Sequence, residues 1–473
     1  MALIFMPNPL IDVHELTVRR SGRIVLNTIT FQLNSGECWA ITGPTGSGKT
    51  TFLQTLAGQF HAPPTALIRS GSTEFVSFKE ESTQFSYGSY FYQQRYQATM
   101  SDNPDKGDAG YKSIPKLRDF LGFNETSEAK ALVDRLGLTP ILDRSFLKLS
   151  NGQTRKARIG KALLRHPSIL LLDNPFVGLD AGFRAELTQW LAELVDHGLT
   201  LVFVTEAVHI PDFVTNVATL EEGQIQWAGL RQEYIASDVV ETANELPILE
   251  TKPVRPDFDE AFCLRNVTVR YGDVVILNQI NWTVRTGERW ALIGPNGAGK
   301  SVLLSLLYGD HPQAYANDVN VFGYRRGKSG ESIWDVKRRI GFVSPELHLY
   351  FPQGLSARQV ALTGLTDTLT PPRRVSEETE TDLLNLLTYF DIVPILDRMF
   401  GTLSSGEQRL VLLIRAFLKN APVLLLDEPF QVIDAQRIEL ARRLIDSFRD
   451  KTILFITHDR RELPGSITQI FSL

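Results

Sequence analysis

GPTGSGKTTFLQTLAG (residues 43–58) and GPNGAGKSVLLSLLYG (residues 294–309) are one pattern written twice. Each carries G-x-x-x-x-G-K-[ST], with Gly43, Gly46, Gly48, Lys49 and Thr50 in the first copy and Gly294, Gly297, Gly299, Lys300 and Ser301 in the second. Each follows a short apolar run, CWAIT (38–42) or RWALI (289–293), and precedes an apolar stretch of helical character. A strand, a glycine-rich turn and a helix are therefore expected in that order. The chemistry of such a loop follows from its residue types. Glycines let successive backbone N–H groups wrap phosphate oxygens, and the helix N-terminus adds the positive end of its dipole. The lysine reaches the outer phosphates and the Thr50 or Ser301 hydroxyl ligates Mg²⁺. The expected nucleotide contacts are Gly43, Thr45, Gly46, Ser47, Gly48, Lys49, Thr50 and Thr51, and Gly294, Asn296, Gly297, Ala298, Gly299, Lys300, Ser301 and Val302.

The duplication extends beyond the loops. Lys49 and Lys300 stand 251 positions apart, while Ser150 and Ser404, and likewise Asp173 and Asp427, stand 254 apart. One domain is written twice with few insertions, which 473 residues accommodate. The stretch ELPILETKPVRPDFDE (245–260) holds three prolines and no periodicity and reads as a linker. Just before it, TLEEGQIQWAG (219–229) reads as a hairpin turning at Glu222-Gly223. The bounds are 1–235 for the first domain, 236–259 for the linker and 260–473 for the second domain. Unalternating apolar runs, ILLLD (169–173), VLLLD (423–427), TLVFV (200–204) and TILFI (452–456), indicate a buried, largely parallel sheet in each half.

Composition excludes several classes. Apolar residues make up 43% and charged residues 22%, with a net charge of −5, so the chain as a whole carries no strong nucleic-acid signal. Cys38 and Cys263 lie far apart and form neither a disulfide framework nor a CxxC pair, which fits a reducing, cytoplasmic setting. The N-terminus has an apolar start without a basic region or small-residue cleavage site. No apolar run approaches the roughly 18–20 residues that span a bilayer.

LSNGQ (149–153) and LSSGE (403–407) each precede an apolar strand ending in aspartate by about twenty residues, and FVTE (203–206) and FITH (455–458) follow. In this combination and order the chain resembles the ATP-binding cassette (ABC) ATPases over nearly all of both halves. The resemblance implies an α/β fold of two tandem P-loop NTPase domains, each with a largely parallel core sheet, an antiparallel β subdomain and a helical subdomain. It implies ATP and Mg²⁺ as ligands and an intramolecular pairing in which each ATP lies between one cassette's phosphate loop and the other's signature. The second site would use Lys300, Ser301, Asp427, Glu428 and His458, with Tyr271 on the adenine, closed by Ser150, Gly152 and Gln153. Glu428 would polarise the attacking water and His458 would touch the γ-phosphate. The first would use Lys49, Thr50 and Asp173, closed by Ser404 and Gly406. Gln93 or Gln94 and, in place of a second glutamine, Glu346 would approach the metal. Asp180 and Asp434 match the aspartates that follow each strand turn.

The two sites are unequal. Where the second half has Glu428 and His458, the first has Asn174 and Glu206, and Arg20 stands at the position of Tyr271. An amide accepts no proton at neutral pH, and loss of a positioned base costs about 10²–10⁴ in rate. The first site is expected to hold ATP and the second to hydrolyse it. VSPELH (343–348), DNPFVGLD (173–180) and THDRRELP (457–464) resemble most the tandem ATPases associated with molybdate transport. That resemblance implies a separate transmembrane permease as partner and a cytoplasmic place against the inner face of the membrane. The alternative is an ATP-gated regulatory protein with no transport partner.

Overall fold

The computed structural model describes residues 9–20, 22–78, 115–144, 146, 149, 151–179, 181–235, 249, 252–271, 274–295, 297–345, 347–352 and 354–473. These fall into two compact units, one holding the described residues up to 235 and the other those from 249 onward.

In the first unit β1 (Ile11–Arg20) and β2 (Arg23–Leu33) pair antiparallel, and β4 (Leu67–Arg69) adds to the other edge of β1. A second sheet contains β3 (Cys38–Thr42), β5 (Thr73–Ser77), β6 (Ile169–Asp173), β7 (Thr200–Val204), β8 (Asn216–Glu221) and β9 (Gln224–Leu230). Its order is β5-β6-β7-β3-β8-β9, parallel except for the β8–β9 hairpin. That hairpin turns at Glu222 and Gly223, both with positive φ (46° and 77°), as the Glu-Gly pair predicts. All five residues of β3, β6 and β7 are buried, which explains why their sequences do not alternate: both faces of the sheet are covered. The helix Lys49–Leu56 covers one face, packing Phe52, Leu53 and Leu56 into a core with Trp39, Ile41, Ile169, Leu171, Val202 and Val204.

The second unit repeats this scheme. Strands β10 (Glu260–Tyr271), β11 (Val274–Arg285), β13 (Asp318–Val321) and β14 (Tyr324–Arg325) form an antiparallel sheet ordered β11-β10-β13-β14. Strands β12 (Arg289–Ile293), β15 (Ile340–Val343), β16 (Val423–Asp427), β17 (Thr452–Ile456) and β18 (Gln469–Ser472) form a fully parallel sheet ordered β15-β16-β17-β12-β18. Strand periodicity divides its side chains between two cores. Val423, Leu425, Leu454 and Ile456 join Leu303, Leu306 and Leu307 of the helix Lys300–Tyr308. Leu424, Leu426, Ile453 and Phe455 join Leu410, Leu413 and Ile414 of the helix Ser405–Leu418 and the neighbouring helical elements from Ala357 to Phe400. Each fully buried leucine contributes about 1.5–3 kcal/mol, so these two layers fix the sheet whose carboxyl edge carries the site.

One expectation is refined. Residues 252–259, read as linker, are attached to the second unit. Lys252 Nζ lies 2.7 Å from Glu378 and 2.6 Å from Asp382, Asp257 pairs with Arg339 at 2.9 Å, and Phe258 packs into the core beneath β10.

Candidate functional site

In each unit the parallel strands deliver their carboxyl ends to one edge of the sheet, the edge where α/β sheets bind ligands. The turn after β3 is built for glycine. Gly43 has φ 133°, and a Cβ there would stand 2.0 Å from the Leu220 carbonyl oxygen. Gly48 and Gly299 take left-handed conformations (φ 102° and 97°) directly before the helices Lys49–Leu56 and Lys300–Tyr308. The lysines curl back over their own loops. Lys49 Nζ donates to the carbonyls of Gly43 and Pro44 at 2.7 Å each, and Lys300 Nζ to those of Gly294 and Pro295 at 2.6 and 3.0 Å. Among the described residues Ser47 Oγ is buried with no hydrogen-bond partner, an orphaned polar atom inside the loop. Thr51 and Val302 are buried in the first helical turns and contribute packing.

The hydroxyl that follows the lysine meets the carboxylate that ends β6. Thr50 Oγ1 lies 3.0 and 3.1 Å from the two Asp173 oxygens. In the second unit Asp427 ends β16, nine-tenths buried, and Ser301 is exposed at the head of its helix. Hydroxyl and carboxylate oxygens are the hard ligands a Mg²⁺ ion takes, so the residues present fit the metal. The orphaned Ser47 hydroxyl and the Gly43 turn likewise fit a phosphate-bearing ligand.

The next residue separates the halves. Asn174 and Glu428 both adopt left-handed backbone, φ 56° and 45°. Glu428 is anchored by its own N–H to the Ile456 carbonyl at 2.9 Å, and both its carboxylate oxygens lie 3.0 Å from His458 Nδ1. A carboxylate only accepts, so Nδ1 carries the proton and Nε2 is the face presented elsewhere. Both side chains are about nine-tenths buried, at 9% and 10% exposure. In the first unit Asn174 Nδ2 donates to Asp173 Oδ1 at 3.0 Å, and the exposed Glu206 pairs with His209 Nδ1 at 3.0 Å. The Asn174 amide, which stands where Glu428 stands in the second unit, cannot take a proton from water, and Glu206 turns to His209 rather than to residue 174.

The base-stacking position also differs. Tyr271 Oη lies 2.6 Å from His311 Nε2, while His311 Nδ1 accepts from the Gln313 N–H at 3.2 Å. That fixes Nε2 as the protonated nitrogen, donating to the tyrosine oxygen. His311 is buried, and burial lowers its pKa to about 4. At the matching places of the first unit, the Arg20 guanidinium stands 6.0 Å over the Phe60 ring. The tyrosine–histidine pair of the second unit is replaced there by an arginine over a phenylalanine.

Of the signature residues, Gly152 packs where a Cβ would meet the Phe183 ring at 2.9 Å, and Gln153 is half-buried on the same helix, Asn151–Leu163. Ser404 caps the helix Ser405–Leu418, its hydroxyl accepting from the Glu407 N–H at 3.2 Å, and Gly406 is buried beside it. Asp434 caps the helix Ala435–Ser447 through the Arg437 N–H at 3.0 Å. Gln93, Gln94, Ser150, Asp180, Asn296 and Glu346 lie outside the described residues.

Two arginines were missed by the sequence reading, and the repeat offset could have found them. Arg155 and Arg409 occupy equivalent places behind the two signatures. Arg155 donates to the carbonyls of Asn174 (3.2 Å), Pro175 (2.7 Å) and Val177. Arg409 instead donates to those of Ser344 (2.7 Å) and Pro345 (3.3 Å). In the first unit Arg158 serves the place Arg409 serves in the second, bonding the Ser77 carbonyl at the end of β5 at 2.9 Å.

With this geometry in hand, the comparisons with known proteins decide the family. The family model described as "ABC transporter" matches residues 26–177 and again residues 277–431. The chain belongs to the ABC transporter family. It is similar to the ABC transporter ATP-binding protein ModF of Escherichia coli, 35% identical over 97% of this chain and 95% of that one. It is also similar to an uncharacterized ABC transporter ATP-binding protein of Schizosaccharomyces pombe, 30% identical over 94% of each. Among solved structures, a model of ribosome-bound archaeal Pelota and ABCE1 shares the fold at a TM-score of 0.60 and 18% identity, over 96% of this chain and 75% of that one. The archaeal recycling factor aABCE1, solved with ribosomal stalk protein aP1, gives a TM-score of 0.56 at 18% identity, over 97% of this chain and 87% of that one. As an ABC protein with two cassettes the chain is an ATPase. Among the described residues no helix is long and apolar enough to cross a membrane.

Proposed function

We propose that this chain is the ATP-hydrolysing component of a transporter whose membrane-spanning part is a separate protein. We further propose that hydrolysis belongs to the second cassette while the first binds nucleotide and turns it over slowly. The observation that carries the asymmetry is the buried Glu428–His458 pair, 3.0 Å from nitrogen to both oxygens, set against Asn174 and Glu206 at the same places. The name of its 35%-identical relative, a transporter ATP-binding protein, supports the transport role.

The residues divide the work as follows. Lys300 and the N–H groups of the 294–301 turn bind the outer phosphates. Ser301 and Asp427 hold Mg²⁺, which when bound offsets phosphate charge; Thr50 and Asp173 do so in the first cassette. Glu428 accepts the proton of the attacking water, and the Nδ1–H bond from His458 orients that carboxylate while leaving Nε2 to donate toward developing phosphate charge when the ring is protonated. In the first cassette Asn174 can only orient a water. The protein works against the inner face of the membrane.

The test is capture of the partner. The Glu428→Gln variant, expressed in its native host and held with ATP, is purified and its companions identified. A stoichiometric multi-spanning membrane protein from the membrane fraction supports the proposal. Recovery from the soluble fraction alone, or with cytoplasmic proteins only, replaces it with the ATP-gated regulatory role.

A further inference from the structure

The turn that carries His458 is tied to a half-buried acid that the hydrolytic residues above do not include. Glu462 is half-buried. Thr457 Oγ1 donates to its Oε2 at 2.5 Å and accepts from the Asp459 N–H at 3.0 Å. The Asp459 carboxylate in turn accepts from the Arg461 N–H at 2.9 Å and pairs with the Arg461 guanidinium at 2.6 Å. The Leu463 carbonyl is held by Arg442 at 3.1 Å, on the helix Ala435–Ser447. Residues 457–463 thus form one knotted turn, and His458 is the side chain that leaves it for Glu428. Burial, and after it the charge of Glu428, holds the Glu462 carboxyl above the usual carboxylate range, against the Thr457 bond that lowers it.

The duplicated half supplies the control. Thr205 stands at the place of Thr457, but Ile210 stands at the place of Glu462, and among the described residues Thr205 Oγ1 donates to the His209 carbonyl at a long 3.4 Å. The half that has Asn174 and Glu206 instead of Glu428 and His458 also lacks this acid.

We infer that Glu462 is a positioning residue for hydrolysis in the second cassette: its bond to Thr457 fixes the turn so that His458 Nδ1 stays on Glu428. This rests on the second cassette being the site of turnover, and the experiment separates the two. Steady-state ATP hydrolysis is measured on the full chain for Glu462→Ile, Glu462→Gln, Thr457→Val and the Glu428→Gln control, with thermal unfolding of each. Misplacing a catalytic group by about 1 Å costs up to ~10²-fold, so Glu462→Ile is expected to lower kcat by about 10-fold or more, with KM within about twofold of wild type, as loss of an interaction made only in the transition state requires. Glu462→Gln, whose amide oxygen accepts the same bond, restores kcat to within about threefold. Thr457→Val reproduces the loss, and the Thr457→Val, Glu462→Ile double variant loses no more than either alone. The inference is overturned if Glu462→Ile keeps kcat within about twofold of wild type while Glu428→Gln abolishes it. It is equally overturned if the loss follows a fall in melting temperature and Gln does not rescue it. If Glu428→Gln itself keeps its turnover, the site assignment fails first and the inference falls with it.

Discussion

Changing Glu428 to Asn gives the second cassette the residue that the first already has, and the structure predicts stability and activity to part company. Both positions are left-handed, at φ 45° for Glu428 and 56° for Asn174. Left-handed backbone costs an ordinary L-residue about 1–2 kcal/mol, and asparagine is among the few residues that visit it readily. The substitution therefore relieves about 1 kcal/mol of strain. Against this, the bond from His458 Nδ1 to the carboxylate is lost, worth about 1.5 kcal/mol for a charged partner. The terms nearly cancel, so the melting temperature moves by no more than a few degrees. The chemistry has no such compensation. Loss of a positioned base costs about 10²–10⁴ in rate, equivalent to about 3–5.5 kcal/mol of barrier. Lys300, Ser301 and Asp427 are untouched, so nucleotide binding stays. The assay is phosphate release at saturating MgATP near pH 7.5, with binding of a fluorescent ATP analogue and thermal unfolding measured on the same preparation. Retention of about half the turnover would refute the asymmetry, because it means both cassettes hydrolyse at similar rates. A collapse in melting temperature would refute the strain argument.

Three further outcomes are expected. Gly43→Ala drives a Cβ to within 2.0 Å of the Leu220 carbonyl at φ 133°, whereas a Cβ at Gly297 meets nothing within 4 Å; denaturant unfolding should give about 1 kcal/mol for Gly297→Ala from backbone conformation alone and clearly more for Gly43→Ala. His311 has its pKa lowered by burial to about 4, against about 6.5 in the unfolded chain. Its contribution is fully present above about pH 6.5 and is lost as pH falls toward 4, because only the unfolded chain takes up the proton there; the loss is about 3 kcal/mol. His311→Asn, which can still cap its turn, should flatten that part of the stability–pH curve, and an unchanged acid limb would count against a buried neutral histidine. Ser301→Ala should raise the Mg²⁺ concentration needed for half-maximal turnover with little change in ATP binding, and chelation of the metal should abolish hydrolysis in the parent protein.

The parts of this molecule that are written locally are legible in its sequence. A phosphate loop declares itself because its glycines, lysine and hydroxyl lie within eight residues and each has a backbone or charge reason to be there. The Glu222-Gly223 turn and the parallel strands were readable for the same reason. What distance in sequence hides was not. Lys252 was assigned to a linker because its partners, Glu378 and Asp382, lie more than a hundred residues away. Tyr271 was read as a base-stacking ring, but its bond to His311 depends on a turn forty residues on. The asparagine in DNP was explained through its chemistry, and only the backbone angle reveals that the same exchange also relaxes the chain.

The arginine behind each signature carries a consequence for how these duplicated parts can be reused. Arg155 grips the 174–177 turn at three carbonyls, and Arg409 grips the 344–345 turn at two. A helix shifted in the first cassette drags the turn beside the metal carboxylate and, through Arg158, the end of β5, while its twin drags the turn at the end of β15. The two halves share a blueprint but not a wiring diagram. Recombinants that exchange the helices 151–163 and 405–418 would hand the first cassette one of these arginines where it had two, because Leu412 stands at the place of Arg158.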